Sequence, residues 1–172
     1  LLNDLELQFK SIAAQRNIQF NVHDTNFWID TDPQWMRRII QNFVSNALRY
    51  TAQGRVVVGV LRSAQRPNHI RIGVWDTGPG INEQQRVKLF QEFERCGHTS
   101  PWGEQGLGLG LAIVQRMTSL LDFPVHVYSE LGKGSCFLIE VPLVEAPVIP
   151  ISVTQVTALQ HTAYKVLCLD ND

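Results

Sequence analysis

Cysteine is scarce and scattered in this sequence: Cys96, Cys136 and Cys168 stand far apart, odd in number and without a CxxC pair. That excludes a zinc ribbon or a disulfide framework and suits thiols kept in a reducing compartment. Neither sign of charge is in excess, since 15 basic against 16 acidic residues leave a formal net charge of -1. A nucleic-acid surface needs a basic stripe and none is present, so nucleic acid is not expected as a partner. Long apolar runs are missing too. Stretches such as Val56 to Leu61 fall far short of the ~20 residues that cross a bilayer, and no signal peptide opens the chain. These residues are therefore expected in the cytoplasm without direct membrane contact, whether or not a longer parent protein is membrane-anchored. What remains is an ordinary profile, 44% hydrophobic over 172 residues, enough for one domain with a real core and some additional chain.

Leu1, Leu2, Leu5, Phe9 and Ile12 recur at helical spacing, which predicts a helix over residues 1–16. With no Met start and no N-terminal cap, this opening reads as the middle of a longer chain. Two short extended stretches follow, Ile18 to Val22 and Phe27 to Ile29. Asp32-Pro33 then signals a helix start, because Asp caps free amides and Pro is tolerated at the first helical position. Along 33–50, Ile39, Phe43 and Ala47 form one apolar row, and Ile40, Val44 and Leu48 its neighbour. Asn42, Asn46 and Arg49 share a polar stripe at i, i+4 and i+7. A carboxamide oxygen can ligate a hard cation such as Mg²⁺ and a guanidinium can hold phosphate oxygens, although a solvated helix face explains the stripe equally simply.

Gly54 breaks the chain, and two β-rich segments follow, Val56 to Arg62 and His69 to Trp75, joined by a turn over 63–68. The second runs into Asp76-Thr77-Gly78-Pro79-Gly80-Ile81. An acid at a strand end followed by a two-glycine turn can present a carboxylate while backbone comes close to a ligand. A helix is expected over Glu83 to Glu94, then a segment punctuated by Gly97, Pro101 and Gly103. Gly106-Leu107-Gly108-Leu109-Gly110-Leu111 then opens an apolar helix from Ala112 to about Leu121. Glycines feeding a helix N-terminus suit an anion, because free amides and the helix dipole both favour negative charge; they also simply permit close packing. Strands over Val125 to Ser129 and Ser135 to Pro142, turned by Gly132-Lys133-Gly134, complete the pattern.

Four of these segments, in this order and spacing, resemble the N, G1, F and G2 boxes of histidine kinase catalytic domains. Those belong to the wider superfamily of gyrase, heat-shock chaperone, histidine kinase and mismatch-repair ATPases. The N box reads QNFVSNALRYT (Gln41 to Thr51) and the G1 box DTGPGI (Asp76 to Ile81). The F box reads LFQEFER (Leu89 to Arg95) and the G2 box GLGLGLAIV (Gly106 to Val114). GKGSCFLIEVP (Gly132 to Pro142) resembles the terminal hairpin, so the likeness spans about residues 1–142. It implies an α/β two-layer sandwich of the Bergerat type. A mixed, mostly antiparallel sheet of about five strands would pack on three main helices, with ATP among the helices on the face away from solvent.

The resemblance also implies roles, with ATP and Mg²⁺ as cofactors. Asn46 and Asn42 match the metal-holding positions, and with Arg49, which sits where a basic residue meets phosphate, they form the catalytic set. Tyr50 matches an aromatic beside the ribose or adenine, and Asp76 the carboxylate that accepts from the adenine amino group. Gly78 and Gly80 let the base approach, and Ile81 travels with that box. Gly106, Gly108 and Gly110 match the glycines under the phosphates, with Leu107 and Leu109 between them. Arg95 matches a residue that reaches the phosphates when the lid, about 82–105, closes. Ser135 matches a hydroxyl near the adenine. The plain structural alternatives are that Tyr50 caps the core, Arg95 lies in solvent and Ser135 only pairs backbone. Phe90 and Phe93 are expected to pack the lid helix onto the core or onto the helix presenting a substrate histidine.

Relatives that hydrolyse ATP carry Glu at the first N-box position; Asn42 is a poor base, which speaks for phosphoryl transfer. No phosphoacceptor histidine is evident, since His23, His69, His98, His126 and His161 lie in turns, strands or linker. The acceptor is expected upstream of Leu1, on a dimerising helical domain that residues 1–16 leave, with the catalytic domain over 17–143. Residues 144–163 read as a linker. Residues 164–172 resemble the first strand of a receiver domain, with Asp170 matching a pocket acid and Asn171 departing from the usual Asp. A receiver domain downstream, or a separate response regulator, is the implied partner. Two other readings stand beside the kinase, an ATP-hydrolysing member driving a conformational cycle and a non-catalytic scaffold that retains the fold.

Overall fold

A computed structural model of the protein describes residues 1–91, 100–103 and 107–146. The expected positions Phe93, Arg95 and Gly106, together with the receiver-like segment 164–172 and most of the linker, lie outside them. The elements in chain order are α1 (Leu2–Gln15), β1 (Ile18–Val22), β2 (Trp28–Ile29), α2 (Pro33–Tyr50), β3 (Gly54–Arg62) and β4 (His69–Asp76). They continue with α3 (Glu83–Lys88), α4 (Gly110–Leu121), β5 (Val125–Glu130) and β6 (Gly134–Val144).

The sheet is mixed. β1 lies parallel to β3 at one edge; β3, β4 and β6 then run antiparallel, and both β5 and β2 pair with the far side of β6. Side chains alternate between faces, so the register assigns Val56 and Val58, Ile70, Ile72 and Val74, and Phe137, Ile139 and Val141 to one buried face. α2 covers that face. Asp32 accepts from the amides of Gln34 and Trp35 at 2.7 and 3.0 Å, and Pro33 opens the helix. Both expected apolar rows of α2 are buried, and Phe43 packs its ring 5.4 Å from that of Phe137. α1 adds Leu5, Phe9 and Ala13 to the same core.

The differences from expectation are local. Six strands replace about five because β2 is a two-residue pairing against Leu143 and Val144, which also carries β6 two residues past the Pro142 expected as its end. α3 stops at Lys88 although a helix to Glu94 was expected. Its capping box of Asn82 and Gln85 starts it well, but no residue of α3 is buried. A helix without a packed face has little beyond propensity to extend it, and the chain instead turns Leu89 into the core. α4 begins at Gly110 rather than Ala112, taking the last glycine of the run into its first turn.

Candidate functional site

β4 ends on Asp76, which pairs with Ser135 on one side and Val56 on the other. The alternation therefore points its side chain to the helix-covered face. The Asp76 carboxylate accepts the Gly78 amide at 2.8 Å, and the Ser135 amide donates to it as well. Burial nevertheless pushes its pKa up to about 6, against the opposing effect of those two amides. The turn that follows is held from outside. Gly80 sits at φ +73, and a side chain there would meet the backbone of Glu130, so only glycine fits. The Gly132 amide donates to Pro79 O at 2.8 Å. Ser129 accepts from the Ile81 amide at 2.7 Å and donates to Gly134 O at 3.0 Å. Its single proton is thereby committed, so the 3.0 Å contact with Ser135 Oγ has Ser135 donating. The Ser135 hydroxyl is thus tied to Ser129, on the same face of the sheet as the Asp76 side chain, while its amide donates to the carboxylate.

On α2 the polar stripe is half-exposed at Asn42, Asn46 and Arg49. Asn42 donates its Nδ2 to Arg38 O at 2.8 Å, which leaves Oδ1 as the outward atom. That oxygen lies 2.6 Å from where a Cβ on Gly110 would stand. Asn42 therefore meets the N-terminus of α4, whose amides receive no side-chain cap. Leu109 is the N-cap residue, Gly108 has φ +72, and Leu107 is exposed. Tyr50 closes α2 and presents its carbonyl behind Gly78, 3.5 Å from the position of a Cβ there. The loop returning toward α4 is fastened at Ser100, whose hydroxyl donates to Arg49 O at 3.0 Å. It is fastened again at Trp102, which lies 5.5 Å beneath the Arg16 guanidinium. Phe90 is half-buried and lines a cavity of about 270 Å³ with the C-terminal end of α4, and Asp76 does not line it.

The structure thus brings Asn42, Gly108, Leu109 and Gly110 to one junction, and Asp76, Gly78, Gly80, Ile81 and Ser135 to one turn. The carbonyls of Arg49 and Tyr50 lie between the loop and that turn. Ser129 was missed as a support of this turn, and Thr51, whose hydroxyl lies 3.3 Å from the position of a Cβ on Gly78, as its neighbour. Ser129 carried no signal beyond a serine near a strand end. Thr51 lay inside the quoted N box but had no role assigned. The half-buried thiol of Cys136 is pushed up to about 12, by burial first and then by the charge of Asp76, and is inert. Among the described residues no group of three or more His, Cys, Asp or Glu could hold a metal ion. No helix among them is long and apolar enough to cross a membrane.

Comparison with known proteins fits this geometry. The family model of histidine kinase-, DNA gyrase B- and HSP90-like ATPases matches residues 31–145. The autoinducer 2 sensor kinase/phosphatase LuxQ of Vibrio vulnificus is 33% identical over 148 residues, covering 83% of this chain and 17% of that protein. The sensor histidine kinase RcsC of Escherichia coli is 36% identical over 115 residues, covering 67% of this chain and 12% of its own length. The chain therefore spans less than a fifth of these curated relatives. Full-length ShkA, solved in complex with AMPPNP, superposes with a TM-score of 0.72 at 30% identity, over 84% of this chain and 30% of that one. The mycobacterial sensor histidine kinase MprB gives 0.65 at 26% identity, over 81% and 91%. Matched over residues 31–145, well over half of its length, this chain belongs to the histidine kinase-, DNA gyrase B- and HSP90-like ATPase family.

Proposed function

We propose that this chain is the ATP-binding catalytic module of a sensor histidine kinase, transferring the γ-phosphoryl group of ATP to a histidine on a separate helical domain. The observation that carries the reading is the junction of α2 and α4. There the carboxamide oxygen of Asn42, held by the bond of its Nδ2 to Arg38 O, lies against Gly110, the first residue of a helix whose amides have no side-chain cap. Oxygen donors suit a hard divalent cation, and free helix amides suit phosphate. The residues fit the group: Asn46 and Asn42 would hold Mg²⁺, with the substrate phosphates completing its shell. Bound there, the metal would offset charge on the phosphate oxygens. Gly108 and Gly110 admit phosphate to backbone, Arg49 adds positive charge, and Asp76 accepts from the adenine amino group. Asn42 has no proton-accepting base to offer a water, and its Nδ2 is already bonded to Arg38 O. That speaks for transfer over hydrolysis.

The proposed setting is cytoplasmic. The partners are a dimerising phosphoacceptor domain and a receiver, either attached or separate. The kinase names of the relatives support this, as does the small share of their length that the chain represents.

The test is calorimetric titration with ADP and AMPPNP, with and without Mg²⁺, followed by phosphorylation of a supplied helical domain. Saturable one-to-one binding, weakened by Asp76→Asn, and an acid-labile phosphoprotein are expected. Rapid ATP turnover without any acceptor would favour the hydrolase reading. Absence of binding at millimolar ligand would leave only a scaffold.

A further inference from the structure

Thr51 follows the last residue of α2, and its amide donates to Ala47 O at 3.1 Å. Its side chain is fully buried, at 0% exposure, and its hydroxyl has no hydrogen-bond partner among the described residues. A buried hydroxyl without a partner forfeits its hydration and gains nothing in return. Valine has nearly the same shape and would carry no such penalty, so packing does not account for threonine here. The surroundings do. The point where a Cβ on Gly78 would stand is 3.3 Å from Thr51 Oγ1 and 2.8 Å from Asp76 Oδ1. Hydroxyl and carboxylate therefore flank the same glycine. The carboxylate is half-buried and open to the site, whereas the hydroxyl is sealed behind it. Asp76 is only partly satisfied, by the amides of Gly78 and Ser135, and has acceptor capacity left.

We propose that Thr51 is a positioning residue for adenine recognition: its hydroxyl donates to the Asp76 carboxylate when nucleotide closes the Asp76–Gly78 turn. This rests on the reading of Asp76 as the acceptor for the adenine amino group. That hydroxyl, without a partner among the described residues, is then the donor that fixes which carboxylate oxygen meets the base. Thr51 touches no ligand itself and acts only through Asp76. Two consequences follow. Removing the hydroxyl leaves the free protein at least as stable. It weakens only those ligands that carry the amino group Asp76 reads.

The experiment compares wild type, Thr51→Val and Thr51→Ser by calorimetry with ADP and with purine riboside diphosphate, which lacks the exocyclic amino group. Thermal melts of the ligand-free proteins run alongside. In Thr51→Val, ADP is expected to bind about tenfold more weakly, the scale of one hydrogen bond to a charged group. The analogue should bind as it does to wild type. Thr51→Ser should restore ADP binding, and Thr51→Val should melt at or above wild type. Unchanged ADP binding, equal loss for both ligands, or a destabilised or unfolded Thr51→Val would each overturn the proposal. If wild type binds neither ligand, the nucleotide-site reading itself fails, and that result is separate from all of these.

Discussion

The carboxylate of Asp76 should cost this domain stability at neutral pH, and Asp76→Asn measures how much. Burial raises its pKa from 3.8 to about 6. Between those values the folded state holds a proton that the unfolded state has released, so stability falls as pH rises through the window and is level above it. A rise of that size corresponds to roughly 3 kcal/mol as a ceiling. Asp76 is only half-buried, and solvent screening reduces the figure to about 1–2 kcal/mol. Asparagine keeps an oxygen for the Gly78 amide and removes the charge. Ligand-free Asp76→Asn should therefore match wild type near pH 4 and exceed it at pH 7.5. In a domain of this size the gain is about 3–6 °C in melting temperature. Paired thermal melts across pH 4 to 7.5 give the result directly. A variant less stable than wild type at pH 7.5, or a difference that does not change with pH, would refute the reasoning.

Three other outcomes are expected. Gly110→Ala places a methyl group against Asn42 Oδ1 at 2.6 Å and should turn that carboxamide away. Mg²⁺-dependent nucleotide binding should fall severalfold in calorimetry while the melting temperature holds, because alanine suits a helix. Gly80→Ala puts a side chain into the Glu130 backbone at a positive φ, so chemical denaturation should show a loss of about 2 kcal/mol or more. Glu140→Gln leaves Arg71, bonded to it at 2.6 Å and 13% exposed, without its anion; unfolding in urea should show a loss of about 3 kcal/mol.

Much of this fold was legible because its strongest signals are periodic. The two apolar rows of α2, the Asp32-Pro33 start and the strand pairs around the Gly132 turn all survive as local patterns. What failed was decided by tertiary partners. β3 begins at Gly54, ahead of its apolar run, because β1 pairs with it from Ile18 onward. α3 stops early because Leu89 finds the core. In the site, residue types at motif spacing pointed to Asn42, Gly110 and Asp76, but their roles depend on contacts that no spacing encodes. The fixed orientation of the Asn42 amide comes from Arg38 O. The turn after Asp76 is held by Ser129, 48 residues from Ile81 in sequence. The orphan status of Thr51 exists only once Gly78 and Asp76 are folded around it.

The two faces of the sheet carry buried acids under opposite conditions, and the contrast separates structure from function. Glu140 lies on the outer face, 2% exposed. Desolvation pushes its carboxyl up, but hydrogen bonds from Arg71 and Ser63 and the charges of Arg71 and His126 carry it below the ordinary value. Arg66 adds a further ion pair at 3.3 Å. Its charge is fully answered within the protein, and stability from that cluster is present above the ordinary carboxyl pKa and lost as pH falls. Asp76, one strand away on the inner face, receives two backbone amides and, among the described residues, no cation, and its carboxyl rises instead. Had stability alone shaped both positions, the inner acid would have acquired an arginine or given way to a neutral residue. Among the described residues this acid stands near an unbonded hydroxyl and has few donors, an arrangement that suits a donor arriving from outside. The adenine amino group proposed above for this site has that chemistry.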